Sequence, residues 1–231
     1  MALILSIETT TEICSIAISN DGKCIHSIID REKNAHSSKL IVYIEDAFQK
    51  LNLEKASLDA VAVSHGPGSY TGLRIGMSTA KAICYALDKP LISLSTLHAL
   101  AYGYSEKIDI SEKEYFIIPM IDARRMEVFT CILNQNMEDI EPISAKILDE
   151  NSFSEELNKP CFFIGNGAEK CKDLFGNHPN AHFPDVLASA EHLIPMAEIA
   201  FRKNDFVDIA YCEPFYLKEY IAGKPNVKGL R

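Results

Sequence analysis

The chain has 231 residues, of which 47% are hydrophobic and 24% are charged, a balance typical of a folded globular protein. Its formal net charge of −9 disfavours a broad nucleic-acid surface, because contacts with phosphates require lysine and arginine. The seven cysteines include no C-x-x-C pair, and their odd number disfavours a disulfide framework. We therefore expect a cytoplasmic protein with neither a signal peptide nor a membrane-spanning segment.

The first part of the chain predicts three antiparallel strands. Their apolar runs cover residues 3–9, 14–20 and 23–30. The turn Asn20-Asp21-Gly22 is a strong hairpin signal, because Asp and Gly tolerate positive φ.

A helix is predicted next, with its N-terminal cap at Ser37 or Ser38 and its end near Asn52. Its core-facing stripe consists of Leu40, Ile44, Ala47 or Phe48, and Leu51. The run from Leu40 to Ile44 is also apolar beside that stripe. This pattern predicts a helix buried on two sides, one against the sheet and one that could meet a partner.

A glycine-rich turn, His65-Gly66-Pro67-Gly68-Ser69, joins a buried strand at residues 60–63 to a helix that ends near Leu87. The turn is not a Walker loop, because Leu73 follows Gly72. It is not a dinucleotide fingerprint either, because Thr71 stands where the last glycine is required.

One face of this helix carries almost no side chain, because small residues recur there every four positions. These residues are Gly72, Gly76 and Ala80. Two interpretations stay open: tight packing inside the domain, or close contact with a helix of another subunit.

A strand at residues 91–94 and a helix over 95–102 complete a βββαβαβα unit, the order of a ribonuclease-H-like core. We place this N-terminal lobe at residues 1–104 and a smaller second lobe with a basic tail at 105–231. The second lobe is predicted to contain three strands, over 115–121, 126–133 and 161–164, and two helices. One helix follows Gly165-Asn166-Gly167, and the other covers 188–203 with Pro195 as an obstacle in its middle.

Four segments of the chain resemble one family. They are G-P-G-S-Y-T-G-L-R-I-G, the start L-I-L-S-I-E-T-T-T, the segment I-D-A-R-R-M-E-V-F and the late P-F-Y-L-K. Over about residues 3–217 the chain is similar to the TsaB (YeaZ) family, the non-catalytic paralogue in the bacterial machinery that makes threonylcarbamoyladenosine in tRNA. The resemblance implies an α/β, two-lobed actin-like ATPase fold in which each lobe is a mixed sheet with flanking helices.

The resemblance also implies a function and partners. The chain would be the scaffold or activator subunit of the complex that installs the threonylcarbamoyl group on adenosine 37 of tRNAs reading codons that begin with A. It would bind the catalytic TsaD-type paralogue and the TsaE-type ATPase, contact tRNA only through the complex, and form a homodimer in isolation. We expect the partner contact at Leu40, Tyr43, Ile44, Gly72, Gly76 and Ala80. The alternative is an independent ATP-dependent phosphotransferase of the sugar-kinase type.

The phosphate-binding turns of actin-like ATPases have degenerate counterparts here. Their Asp-x-Gly-Thr pattern corresponds to Glu8-Thr9-Thr10, where the hydroxyls of Thr9 and Thr10 could donate to phosphate oxygens. In the second half Asp122 takes the place of the Asp, and Ala123 takes the place of the glycine. Because the glycines are replaced, the backbone can approach a phosphate less closely. We expect no tightly bound cofactor and at most weak binding of ATP or ADP.

The sequence predicts neither a metal site nor a catalytic residue. His178 and His182 are four apart, but Pro179 interrupts a helix there. The resemblance implies that Thr96 and Leu100 replace the two histidines with which the catalytic paralogue binds its metal. We therefore expect a non-catalytic subunit.

Overall fold

The computed structural model describes residues 2–32, 35–105, 108 and 114–218. The first of its two five-stranded sheets has the order β3-β2-β1-β4-β5. Its strands are β1 (Leu3–Glu8), β2 (Cys14–Asn20), β3 (Lys23–Asp30), β4 (Ala60–Gly66) and β5 (Leu91–Ser95). The pairs β1–β2 and β2–β3 are antiparallel, whereas β1–β4 and β4–β5 are parallel.

The second sheet has the order β10-β9-β6-β7-β8. Its strands are β6 (Phe116–Asp122), β7 (Glu127–Asn134), β8 (Asp139–Ile147), β9 (Cys161–Ile164) and β10 (Ala181–His182). Read from β8, the order and the strand directions repeat those of the first sheet. The two related halves implied by the family resemblance are therefore present in the topology.

Five α-helices flank the sheets within the described residues. They are α1 (Ala35–Leu51), α2 (Tyr70–Leu87), α3 (Thr96–Ser105), α4 (Ala168–Phe175) and α5 (Ile194–Lys203). One face of the first sheet packs on α1 and α2, where Leu40, Phe48 and Met77 join the main core. None of the helices in the described part of the chain has the length and apolar character required to cross a membrane.

The last helix packs across the predicted division at residue 104, which stays a prediction. Although α5 belongs to the segment 105–231, its residues Ala197 and Ala200 pack with Ile4 and Ala62 on the other face of the first sheet. Val207, just beyond α5, then forms an antiparallel bridge with β5. The segment 105–231 therefore supplies the second sheet and also part of the first lobe.

The chain after α5 continues along the first lobe. The backbone N–H of Phe215 donates to the carbonyl of His65 at 2.7 Å, at the end of β4. The ring of Tyr216 lies 4.8 Å from that of Tyr70, at the start of α2. Lys218 then pairs with Glu127 of the second sheet. The predicted basic tail continues beyond this point with Lys224, Lys228 and Arg231, which lie outside the described residues.

The starts of α1 and α5 differ from the prediction. Helix α1 begins at Ala35, so Ser37 and Ser38 lie inside its first turn rather than at its cap. Pro195 lies in the first turn of α5, where a missing N–H costs nothing. A short 3-10 helix, Ala190–Leu193, precedes it. Strands β8 and β10 were not predicted.

Candidate functional site

The turn after β1 is buried and internally hydrogen-bonded. The Thr9 hydroxyl donates to the carbonyl oxygen of Gly72 at 2.8 Å. Thr10 donates from its backbone N–H and from its hydroxyl to Glu8 Oε1, at 2.6 and 2.5 Å. The two hydroxyls that the sequence suggested for phosphate are therefore engaged within the protein.

The start of α2 lies directly on this turn. Ser69 caps the helix, since its Oγ accepts from the N–H of Gly72, and its own N–H donates to the Thr10 carbonyl at 2.6 Å. A Cβ added at Gly68 would lie 2.5 Å from that same carbonyl oxygen. An added Cβ would overlap the Thr9 carbonyl oxygen at Gly72 and the Thr9 hydroxyl at Gly76.

This packing favours the first interpretation of the small-residue stripe, which is tight packing inside the domain. Gly72, Gly76 and Ala80 are buried. The groups that approach the two glycines belong to Thr9 of the chain's own first turn: its carbonyl oxygen at Gly72 and its hydroxyl at Gly76. These small residues allow α2 to pack inside its own lobe, and their role in contact with another subunit stays a prediction. On α1, Leu40 and Ile44 are likewise core residues.

Other side chains of α1 and α2 face outward. Ile41 and Val42 are 55% and 51% exposed, and Tyr85 of α2 is 85% exposed. Tyr43 is partly buried and donates its hydroxyl to Asp30. The apolar surface that α1 presents to solvent therefore consists of Ile41 and Val42, which lie within the apolar run from Leu40 to Ile44.

Asp122 ends β6 on the side of the second sheet that meets the first turn. Its carboxylate accepts from the backbone N–H of Arg124 at 2.6 Å and from Lys170 at 2.8 Å. Asn166 links the two turns, because its Oδ1 accepts from the Asp122 N–H and its amide donates to Glu12 at 3.2 Å.

Charged side chains of both signs lie at these two turns. Glu12 and Asp122 are exposed carboxylates, and Lys170, the lysine next to them, is already paired with Asp122. Burial raises the pKa of Glu8, and the hydrogen bonds from Thr10 oppose that rise. Weak binding of ATP or ADP at these turns stays a prediction. Sequence reasoning missed Glu12, Asn166 and Lys170, because nothing in their spacing links them to Asp122.

The histidines considered for a metal do not come together as ligands. His178 accepts at Nδ1 from the backbone N–H of Asn180, and His182 stacks on Phe162 with 5.0 Å between the rings. Thr96 is buried, and Leu100 packs in the core beneath the second sheet.

The chain has a two-lobed actin-like fold. An activator of the 2-hydroxyisocaproyl-CoA dehydratase from Clostridium difficile, solved with bound ADPNP, superposes with a TM-score of 0.51 at 12% identity over 88% of this chain and 95% of its own. YeaZ from Pseudomonas aeruginosa is closer in structure, with a TM-score of 0.74, 25% identity, and coverage of 94% of this chain and 100% of its own.

Sequence comparisons identify the family. Residues 25–211 match the model described as TsaD: tRNA N6-adenosine threonylcarbamoyltransferase. The tRNA threonylcarbamoyladenosine biosynthesis protein TsaB of Escherichia coli (strain K12) is 28% identical over 229 residues, which cover 96% of each chain. The TsaB of Buchnera aphidicola subsp. Acyrthosiphon pisum (strain APS) is 32% identical over 88% of this chain and 91% of its own. The chain belongs to the TsaB (YeaZ) family.

Proposed function

We propose that this chain takes part in making threonylcarbamoyladenosine in tRNA as a non-catalytic subunit that binds a threonylcarbamoyltransferase paralogue. Membership of the TsaB (YeaZ) family carries the pathway assignment. The non-catalytic role is supported by the packed first turn, because the hydroxyls of Thr9 and Thr10 already donate hydrogen bonds to Gly72 and Glu8. The TsaE-type ATPase is the second partner, and tRNA is reached through the complex.

The outer face of α1 supports the proposal that this chain acts by binding a protein partner rather than by catalysis. Ile41 and Val42 are adjacent, more than half exposed and apolar. Exposed apolar patches on otherwise polar surfaces are typical of protein–protein contacts. In the absence of the paralogue, the same face would hold two copies of the chain together. The seven cysteines are all free, which fits a reducing cytoplasm.

We expect Ile41→Glu to weaken binding of the purified catalytic paralogue by ~10- to 100-fold, because a carboxylate would be buried without a partner at the contact. Ile147→Glu is the matched control: Ile147 is 74% exposed, but it lies on β8 of the other lobe. Light scattering after size exclusion, with and without the paralogue, gives both the self-association and the complex. Equal affinity for wild type and Ile41→Glu, with no shift in self-association, would contradict the proposed surface.

ATP distinguishes this role from that of a sugar-kinase-type phosphotransferase. We expect calorimetry to show weak ATP binding and a phosphate-release assay to show no turnover above background by the isolated chain. The physical reason is that the hydroxyls of Thr9 and Thr10 are engaged and that Glu12 and Asp122 repel phosphate. Tight binding with steady turnover would favour the kinase alternative.

A further inference from the structure

Three side chains with metal-binding atoms meet where α3 crosses the second sheet. They are His98 of α3, Cys131 of β7 and Asp139 at the start of β8, and their ligand atoms all lie within 4.8 Å of one another. His98 Nε2 is 2.9 Å from Asp139 Oδ1 and 3.2 Å from Oδ2. The described residues contain no other such group of three.

The surrounding contacts orient the histidine toward the other two residues. Ser95 Oγ lies 2.9 Å from His98 Nδ1, so the opposite ring nitrogen, Nε2, faces Asp139. A second hydrogen bond, from the His98 backbone N–H to Ser95 Oγ, holds the serine at the start of the helix. Histidines that bind metals characteristically use their other ring nitrogen in such a hydrogen bond, which fixes the ring.

We propose that His98, Cys131 and Asp139 bind a thiophilic divalent cation such as Zn²⁺, with water completing a tetrahedral site. Thiolate, imidazole and carboxylate are the donors that Zn²⁺ takes in proteins, at ~2.0–2.3 Å from the metal. Such bond lengths place neighbouring donor atoms ~3.3–3.6 Å apart, a range close to the separations between His98 and Asp139. Asp139 is exposed, which leaves water a path to the fourth position.

The proposed site differs from the metal site of the catalytic paralogue that the family resemblance implies. The two positions inferred to correspond to the paralogue's histidines, Thr96 and Leu100, are not ligands here, and His98 between them has partners from β7 and β8. The site also joins the two lobes, because α3 follows β5 of the first sheet while Cys131 and Asp139 belong to the second. A bound ion would therefore link the lobes and stabilise the folded chain.

Cobalt titration of the chelator-treated full chain tests the proposal. We expect one equivalent of Co²⁺ to give a thiolate-to-cobalt charge-transfer band, Zn²⁺ to abolish it, and Zn²⁺ to raise the melting temperature. His98→Gln, Asp139→Asn and Cys131→Ser are each expected to remove the band. Ser95→Ala, which loosens the histidine without removing a ligand, is expected to weaken binding by ~10- to 100-fold.

Two control variants test two other exposed side chains that could bind the ion. Cys24→Ser removes an exposed thiol on β3, and His178→Gln removes an exposed histidine, so both are expected to keep the band. Circular dichroism shows whether each variant is folded; if Cys131→Ser unfolds, the His98 and Asp139 variants decide. The proposal is overturned if wild type gives no thiolate band, or if the band persists in folded His98→Gln and Asp139→Asn. In that case His98 and Asp139 form only a hydrogen-bonded pair beside a core cysteine.

Discussion

Glu8 is a buried carboxyl group whose charge state depends on the fold. It is 1% exposed at the end of β1. Burial raises its pKa above the ordinary value of 4.5, against the opposing effect of the hydrogen bonds from Thr10. The folded chain therefore prefers the neutral acid more strongly than the unfolded chain does, and this preference links stability to pH.

We expect Glu8→Gln to change the pH dependence of stability. Because the folded-state pKa is raised, the contribution of Glu8 is complete below its unfolded pKa and is lost as pH rises through the folded value. Glutamine can accept the same hydrogen bonds but stays neutral. The unfolding free energy of wild type relative to Glu8→Gln should therefore fall as pH rises above 4.5 and then level off. Denaturant titrations across pH measure it, with exposed Glu150→Gln as control; a difference that does not vary with pH contradicts the prediction.

The residues of the first turn show where sequence reasoning stops. The motif Glu8-Thr9-Thr10 was visible, and its departures from a phosphate turn were visible too. The hydroxyl of Thr9 donates to the backbone carbonyl of Gly72, which lies 63 positions away in the sequence. Backbone acceptors carry no sequence signature, so the use of the Thr9 hydroxyl could not be read from the chain alone.

At the scale of elements, α2 can pack against the first turn because Gly72 has no side chain. Gly72→Ala is expected to destabilise the chain by ~1–3 kcal/mol, because its new methyl group would overlap the Thr9 carbonyl oxygen, which is backbone and cannot rotate away. Ser78→Ala, on the exposed face of the same helix, is the control and should not destabilise. Chemical denaturation measures both. If Gly72→Ala is as stable as wild type, the packing described for α2 is wrong.

Local pattern predicted most elements well, but not β8 and the two-residue β10. The predicted bounds of β2, β3 and β9 agree with those of the structure, because their apolar runs are bounded by turn residues. Strand β8 contains charged residues and Pro142 and is largely exposed at the sheet edge. Edge strands tolerate proline and need no continuous apolar face, so β8 lacked the signal that identified the others.

At the scale of the whole molecule, α5 makes the first lobe depend on the end of the chain. A fragment of residues 1–105 is expected not to fold cooperatively, since it would expose the sheet face formed by Ile4, Ala62 and Ile92. Full-length chain is the control, for which a single thermal transition is expected. Circular dichroism and the melting profile give the answer; a fragment with native-like cooperative melting would refute this dependence.

The repeated strand order was foreseeable only through the family resemblance, and the return of α5 was not foreseen. The two sheets share topology without an internal repeat in the sequence, because many residue patterns satisfy the same strand order. The helical stripe of α5 indicates that one face is buried, but it does not say against which sheet. Ala197 and Ala200 would fit either lobe by size and polarity.

The late position of α5 also has a consequence during synthesis on the ribosome. The strands of the first sheet are complete once residue 95 has been added, but the helix that covers part of one face ends at residue 203. At the usual elongation rate of roughly 5–20 residues per second, the intervening chain takes about 5–20 s to make. For that time the nascent first lobe carries an uncovered apolar surface, which makes it a natural client for a chaperone that acts on chains still being translated.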